Sequence, residues 1–337
     1  MRAMVLQAIS NLDDVEKPLA LVELRRPVPA AGELLVKVSV CGVCHTELDE
    51  IEGRTPPPVL PVVPGHEVVG KVQECGAGCR LHEPGDRVGI GWIHSSDGSV
   101  SENTSEAFRA TGRDVNGGYA EYMTVPESYA YPIPDAFSDV EAAPLLCAGG
   151  VGYRALKLAG ISDGQILGLT GFGGSGHLVL QLSKHLYPSS PVFVFARSET
   201  ERQFALELGA NWAGDTDEAP PEPAHAIIDT TPVWKPVVAA LGCLQPGGRL
   251  VINAIRKESV DRGLLADLIY EKHLWLEKEI KTVANVTHYD IAEFLPIAAL
   301  VPLHVETQVY PLEAANEALQ ELKAGHIRGA KVLEIIN

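Results

Sequence analysis

Apolar positions follow two textures along the chain. Up to about residue 150 they come in short alternating runs bounded by Gly and Pro: ELLVKVSV at 33–40, EVVGKVQ at 67–73 and DRVGI at 86–90. Alternation with period two between turn formers predicts strands with one buried face. GGYAEYMTVPE at 117–127 resumes that pattern after a polar excursion, residues 91–116, which predicts a solvated loop with Trp92 at its base. TPPPVLPVVP at 55–64 predicts a stiff loop that presents His66 at a fixed place. From about residue 149 strands alternate with helical patterns of ten to fifteen residues, the mark of βαβ units on a parallel sheet. The predicted strands are 165–170, 191–196, 226–229 and 249–253, with helices over 176–186 and 199–208, the second stopped by Gly209. A helix over 312–325 and a strand over 331–335 close the chain and return to the first domain.

The chain has 337 residues, enough for two domains with large cores. A hydrophobic content of 46% and a charged content of 21% belong to a globular protein. The net charge of -17 excludes a nucleic-acid partner as the expectation, because phosphates attract Lys/Arg stripes. No apolar run reaches the ~18–20 residues that a membrane helix needs, so no membrane partner is expected. Six cysteines are scattered without a pairing pattern, which points to a reducing, cytoplasmic compartment.

GFGGSG at residues 171–176 follows a predicted strand and opens a predicted helix, the context in which a glycine pattern becomes specific for a dinucleotide. Gly171 permits the tight turn. Gly173 and Gly174 let backbone approach a pyrophosphate, and Gly176 permits close helix–strand packing. The free amides of the helix N-terminus then face the anion. The end of the next strand selects the coenzyme. An acid ~20 residues past the motif would hold the ribose hydroxyl of NAD, but the sequence there is Ala196, Arg197, Ser198. The missing acid, more than the arginine, predicts NADP(H) over NAD(H); a guanidinium can pair with a 2′-phosphate.

CGVCHTELD at 41–49 concentrates two thiols, an imidazole, a hydroxyl and carboxylates in nine residues. Catalytic zinc uses three protein ligands and leaves one position open. Cys44, His66 and Cys147 suit that chemistry but are too far apart in sequence for spacing to identify them. The ordered set CGVCHTELD, GHE at 65–67, GDRV at 85–88, GGYAEY, PLLCAGG and GFGGSG resembles the zinc-dependent medium-chain alcohol dehydrogenases over essentially the whole chain. That resemblance implies a GroES-like β-rich catalytic domain, residues 1–150 and 285–337, and a Rossmann domain with a doubly wound parallel sheet, residues 151–284.

The resemblance also implies roles. Cys44, His66 and Cys147 are the implied zinc ligands, and Cys41 is a non-ligating neighbour. Glu67 is the acid beside the metal, and Glu47 is the carboxylate that orients His66. Thr46 takes the substrate's proton, His45 contacts the pyrophosphate, and Trp92 walls the substrate pocket. The implied reaction passes a hydride between a nicotinamide and a small primary or secondary alcohol or its carbonyl partner, in a homodimer or homotetramer.

Four departures qualify the likeness. Residues 91–116 lack the four cysteines of a structural zinc lobe, so one zinc per chain is expected. Asp49 stands where the family's proton relay often ends in histidine, leaving Asp49 or water as its end. The expected C-terminal arginine position reads Ala330, with Arg328 and Lys331 as alternative contacts to the pyrophosphate. Val151 replaces a threonine beside the nicotinamide. Cys75, Cys79 and Cys243 have no expected ligand role. Two other functions stay open here: an NADPH-dependent reductase of a conjugated C=C or C=N bond, and a non-catalytic NADPH- or zinc-binding sensor.

Overall fold

In a computed structural model of the chain, residues 1–301, 303–325 and 329–335 are described. The first strands are β1 (Arg2–Leu6), β2 (Leu19–Glu23) and β3 (Glu33–Val43), followed by helix α1 (His45–Ile51). Next come β4 (Val68–Cys75), β5 (Arg87–Ile90), β6 (Ile93–Ser95), β7 (Arg109–Ala110), β8 (Tyr122–Pro126) and β9 (Ala130–Pro132). The short α2 (Asp139–Ala142) leads to α3 (Ala148–Ala159). An alternating series follows: β10 (Leu167–Thr170), α4 (Gly174–Leu186), β11 (Val192–Phe195), α5 (Glu199–Glu207), β12 (Trp212–Gly214), β13 (Ala224–Asp229), α6 (Lys235–Cys243) and β14 (Leu244–Ile252). The last elements are α7 (Tyr270–His273), β15 (Glu279–Thr282), α8 (His288–Leu300), β16 (Thr307–Pro311), α9 (Ala315–Lys323) and β17 (Ala330–Glu334).

Packing divides the chain into two units. One comprises Met1–Cys147, Val286–Ala299 and Val305–Asn337; the other comprises Ala148–Asn285 and Leu300–His304. The first unit is built on a seven-stranded sheet in which β16, β17, β3, β4, β5 and β9 lie side by side and β8 also pairs with β3. Its pairings are antiparallel except β16 with β17. The predicted return of the chain end is observed as β17 pairing with β3, Leu333 opposite Cys41. The core on this sheet includes Leu34, Val36, Val38, Val68, Val88, Met123 and Leu333, the inward positions of the alternating runs.

The second unit holds a six-stranded parallel sheet in the order β12-β11-β10-β13-β14-β15. Its central strands are apolar because both faces are covered; LGLT of β10 and VFVF of β11 are buried throughout. The strand order reverses between β10 and β13, and ligands of open α/β sheets bind at the carboxyl ends there.

Residues 91–116 depart from the solvated loop that the sequence predicts. They contain the β6–β7 pair, and Glu102, Asn103 and Thr111 are buried. Glu102 accepts hydrogen bonds from Tyr129 Oη (2.9 Å) and from the His288 backbone N (2.6 Å), and its carboxylate meets His288 Nδ1 at 2.6 Å. The buried Glu102 carboxylate is satisfied by these hydrogen bonds, and polar burial of this kind leaves no apolar period to read.

Candidate active site

The first cluster grows from the start of α1. Cys44 is the N-cap in an extended conformation, and Glu47 is the third helical residue. The Glu47 carboxylate works in two directions. Oε2 accepts the Cys44 backbone N–H (2.8 Å), closing the helix end, and Oε1 meets His66 Nδ1 at 2.5 Å. Bound through Nδ1, the His66 ring turns its other nitrogen inward, and that Nε2 is buried with no hydrogen-bond partner. Gly65 makes the turn possible at φ 97°, where a Cβ would collide with Tyr119 and with Cys41 Sγ. Gly42 leaves space for Glu67, since a Cβ there would lie 1.8 Å from Glu67 Oε2.

Cys147 reaches the same place from the short 3₁₀ turn Ala143–Leu146. Its sulfur lies 4.0 Å from Cys44 Sγ, and Cys44 Sγ lies 3.6 Å from Thr46 Oγ1. Ligating atoms of Cys44, His66, Glu67 and Cys147 all fall within 4.8 Å of one another, the one such group found among the described residues. Two sulfurs on a tetrahedral zinc with Zn–S ~2.3 Å stand about 3.8 Å apart, so the spacing and the orphaned His66 nitrogen fit that ion.

Electrostatics in the cluster favour an anionic sulfur. The hydrogen bond from Cys147 holds the Cys44 thiol well below its usual range, against the effect of burial. Sharing that bond, and burial after it, push Cys147 well up. Burial and the nearby Cys44 sulfur raise Glu67. Burial would lower His66, but the Glu47 carboxylate and Cys44 hold it well above the ordinary imidazole value.

Around this cluster the sequence-derived residues separate. Thr46 is buried beside Cys44, while His45 is exposed on the first turn of α1. Trp92 is half-buried, its ring 6.3 Å from that of His66 and 5.4 Å from Phe108, with the Arg113 guanidinium 5.7 Å from its ring centre. Asp49 is buried and receives the Arg54 Nε–H at 2.5 Å. That ion pair makes it a poor end for a proton relay. Cys75 and Cys79 point their thiols at the carbonyls of His82 and Glu33, away from any ligand cluster.

Sequence reasoning passes over Glu50, Phe108 and Arg113. Glu50 is 1% exposed with both carboxylate oxygens unpartnered, and the Trp92 indole N–H lies alongside without a hydrogen bond of normal geometry. Burial, then the Glu47 charge, pushes its carboxyl well up. Helical spacing carries a signal for it, because three and four residues separate it from Glu47 and Thr46 on one face. Phe108 and Arg113 have no such signal within a polar segment.

The second cluster lies in the other unit. Gly171 adopts φ 78°, and a Cβ there would come within 2.9 Å of Thr230 Oγ1. Gly173 is the N-cap of α4 and has nothing within 4 Å of an added Cβ; at Gly174 the nearest atom would be 3.8 Å away. Gly176 packs on the Gly171 carbonyl, 2.8 Å from an added Cβ. The result is an open cradle at the N-terminus of a thirteen-residue helix, which fits a pyrophosphate. Past β11, Ala196 is buried and Arg197 exposed. The Ser198 hydroxyl is engaged at the start of α5, donating to Glu201 Oε2 (2.8 Å) and accepting Glu201 N–H (3.2 Å).

Lys331 does not stay available to a pyrophosphate. It is 3% exposed, with its ammonium 2.6 Å from Tyr310 Oη and 2.5 Å from Glu321 Oε2. Arg328, the other candidate, lies outside the described residues.

Residues 30–135 match the alcohol dehydrogenase GroES-like domain. The chain is 42% identical over 329 residues to a probable alcohol dehydrogenase, AdhA, of Mycobacterium tuberculosis, covering 94% of this chain and 93% of that protein. It is 31% identical over 341 residues to an alcohol dehydrogenase of Geobacillus stearothermophilus, covering 96% and 98% respectively. In structure it is similar to an NAD-dependent alcohol dehydrogenase, with a TM-score of 0.87 at 22% identity and complete coverage of both chains.

Proposed function

Because the chain belongs to the zinc-type medium-chain alcohol dehydrogenase family and is an NAD(P)-dependent oxidoreductase, we propose that it interconverts small primary or secondary alcohols with their aldehydes or ketones, with NADP(H) preferred. The observation that carries the metal part is the buried, unpartnered His66 Nε2 facing two thiols and a carboxylate. Cys44, His66 and Cys147 hold a single zinc per chain, and Glu67 stands beside it. When bound, zinc supplies Lewis acidity toward the substrate oxygen and the nicotinamide supplies or accepts the hydride.

The chain's own residues do the rest. Glu47 keeps a proton on His66 Nδ1, leaving Nε2 free to ligate, and raises the basicity of the ring. Thr46 holds and passes the substrate's proton through its hydroxyl, next to Cys44. With Asp49 bound by Arg54, the proton leaves Thr46 to water rather than to a second side chain. Trp92, backed by Phe108, forms an apolar wall. Gly171, Gly173, Gly174 and Gly176 hold the pyrophosphate, with His45 as a further contact. Arg197, with no acid at Ala196, admits a 2′-phosphate; Ser198 serves the helix cap and contributes its backbone at most. The six cysteines are free, in keeping with a reducing cytoplasm. Assembly as a homodimer or homotetramer belongs to the same proposal.

A panel of small aldehydes assayed with NADPH tests this reading. Reduction by the wild type, with kcat lowered ~10²–10³-fold by Thr46→Ala, is the expected outcome. No turnover of any carbonyl, or turnover unchanged by Thr46→Ala, would contradict it.

A further inference from the structure

Strand β13 reads AHAIID and ends on Asp229, which is fully buried at the carboxyl end of a central strand. A carboxylate placed there needs compensation. Oδ1 accepts from Thr170 Oγ1 (2.6 Å) and Thr231 Oγ1 (2.7 Å), and Oδ2 is in short contact with the Lys257 ammonium. The Lys257 side chain is only 8% exposed, and its ammonium also donates to the carbonyls of Thr231 (2.7 Å) and Val233 (3.0 Å). The backbone follows the same path. Asn253 N donates to Asp229 O (2.7 Å) and Glu258 N to Pro232 O (2.7 Å), so residues 253–258 are tied to residues 229–233.

This node touches the coenzyme cradle. Thr170 directly precedes Gly171, and Thr230 and Thr231 are the neighbours that a Cβ on Gly171 would strike at 2.9 Å. β10 and β13, which the Thr170–Asp229 bond joins, are the two strands between which the sheet order reverses. A carboxylate at that point would repel a pyrophosphate through low-dielectric surroundings. Lys257 offsets its charge at Oδ2, the oxygen that Thr170 does not touch.

We propose that Asp229 and Lys257 are a charge-balanced positioning pair beneath the dinucleotide site, in which Lys257 makes the floor of the site tolerant of the coenzyme's phosphates. The proposal rests on the reading of residues 171–176 as that site. The two members of the pair therefore differ in sign. Removing the cation leaves a bare carboxylate under the phosphates; removing the carboxylate leaves a cation. A purely structural clip would respond alike to either loss.

The test is NADPH binding to the purified full chain, read as Kd by protein fluorescence and calorimetry, with thermal melting measured alongside. Lys257→Met is expected to raise Kd ~10-fold or more, while Asp229→Asn leaves it equal to or below the wild-type value. KM for NADPH should follow Kd, with kcat at saturation within ~3-fold of wild type. Equal weakening in both variants, or a Kd within ~2-fold of wild type for Lys257→Met, overturns the pair. If Lys257→Met fails to fold, Asp229→Asn still decides, since a clip predicts weakening there and the pair predicts none. If Asp229→Asn fails, the double variant Asp229→Asn/Lys257→Met decides, with Kd within ~3-fold of wild type expected for the pair and a loss as large as that of Lys257→Met overturning it. A wild type that binds neither NADPH nor NADH overturns the coenzyme site and the pair together; a wild type that binds, with equal losses in both variants, overturns only the pair.

Discussion

The cluster at Cys44 and the node at Asp229 are both buried, polar and assembled from distant segments, yet they are finished to different degrees. At Asp229 each carboxylate oxygen has partners and all three ammonium protons of Lys257 are used. At Cys44 two sulfurs, an imidazole nitrogen and a carboxylate crowd within 4.8 Å, and His66 Nε2 bonds to nothing. Native interiors rarely leave a buried polar atom unpaired. On the proposed reading the incomplete cluster is completed by a zinc ion. On the same reading the complete node lies beneath a dinucleotide that the open backbone of Gly173 and Gly174 holds.

The contrast can be broken in the metal cluster first. Glu47 is the one residue that both closes α1 and holds His66, so Glu47→Gln should weaken zinc affinity ~10–100-fold, measured by competition with a chromophoric chelator. Unchanged affinity would separate the cap from the ligand. Next in size is the coenzyme end. Arg197→Ala should cut the NADPH/NADH ratio of kcat/KM by ~10-fold, with the loss falling on NADPH. Equal efficiency with both coenzymes before and after the change would remove Arg197 from coenzyme choice.

The smallest effect concerns Glu50, the unfinished carboxyl near Trp92. Burial raises its folded-state pKa above the unfolded value, so the native chain retains a proton that the unfolded chain releases. Stability from that proton is full below the unfolded pKa of ~4.3 and is lost as pH rises toward the folded value. Glu50→Gln should therefore raise Tm by about 2–4 °C at pH 7–8 and bring almost no gain near pH 4. A gain independent of pH would show that the retained proton is not its source, and a loss at pH 8 would show that Glu50 is charged and paired.

The two textures of the fold were legible because each is local: period two in residues 33–40 and strand–helix alternation after β10 both appear within short windows. The glycine cradle was legible for the same reason, as six consecutive residues before a helix. The proposed zinc ligands were not legible from spacing, since Cys44, His66 and Cys147 meet only in three dimensions; the family likeness of the whole motif set singled them out. Glu102, Glu50 and the Asp229–Lys257 pair escaped for a physical reason. Buried polar residues are chosen by partners elsewhere in the chain, and neither periodicity nor composition records which partner a carboxylate will meet. Asp49 shows the same limit: Arg54 lies five residues away, but only the folded C-terminal turn of α1 places its guanidinium on that carboxylate.

Zinc content per chain, measured by elemental analysis on the purified wild type and on Cys147→Ala, tests the central claim most directly. One zinc per wild-type chain, lost in Cys147→Ala together with carbonyl reduction, is the predicted result. Two zincs per chain, or one retained in full by Cys147→Ala, would contradict it.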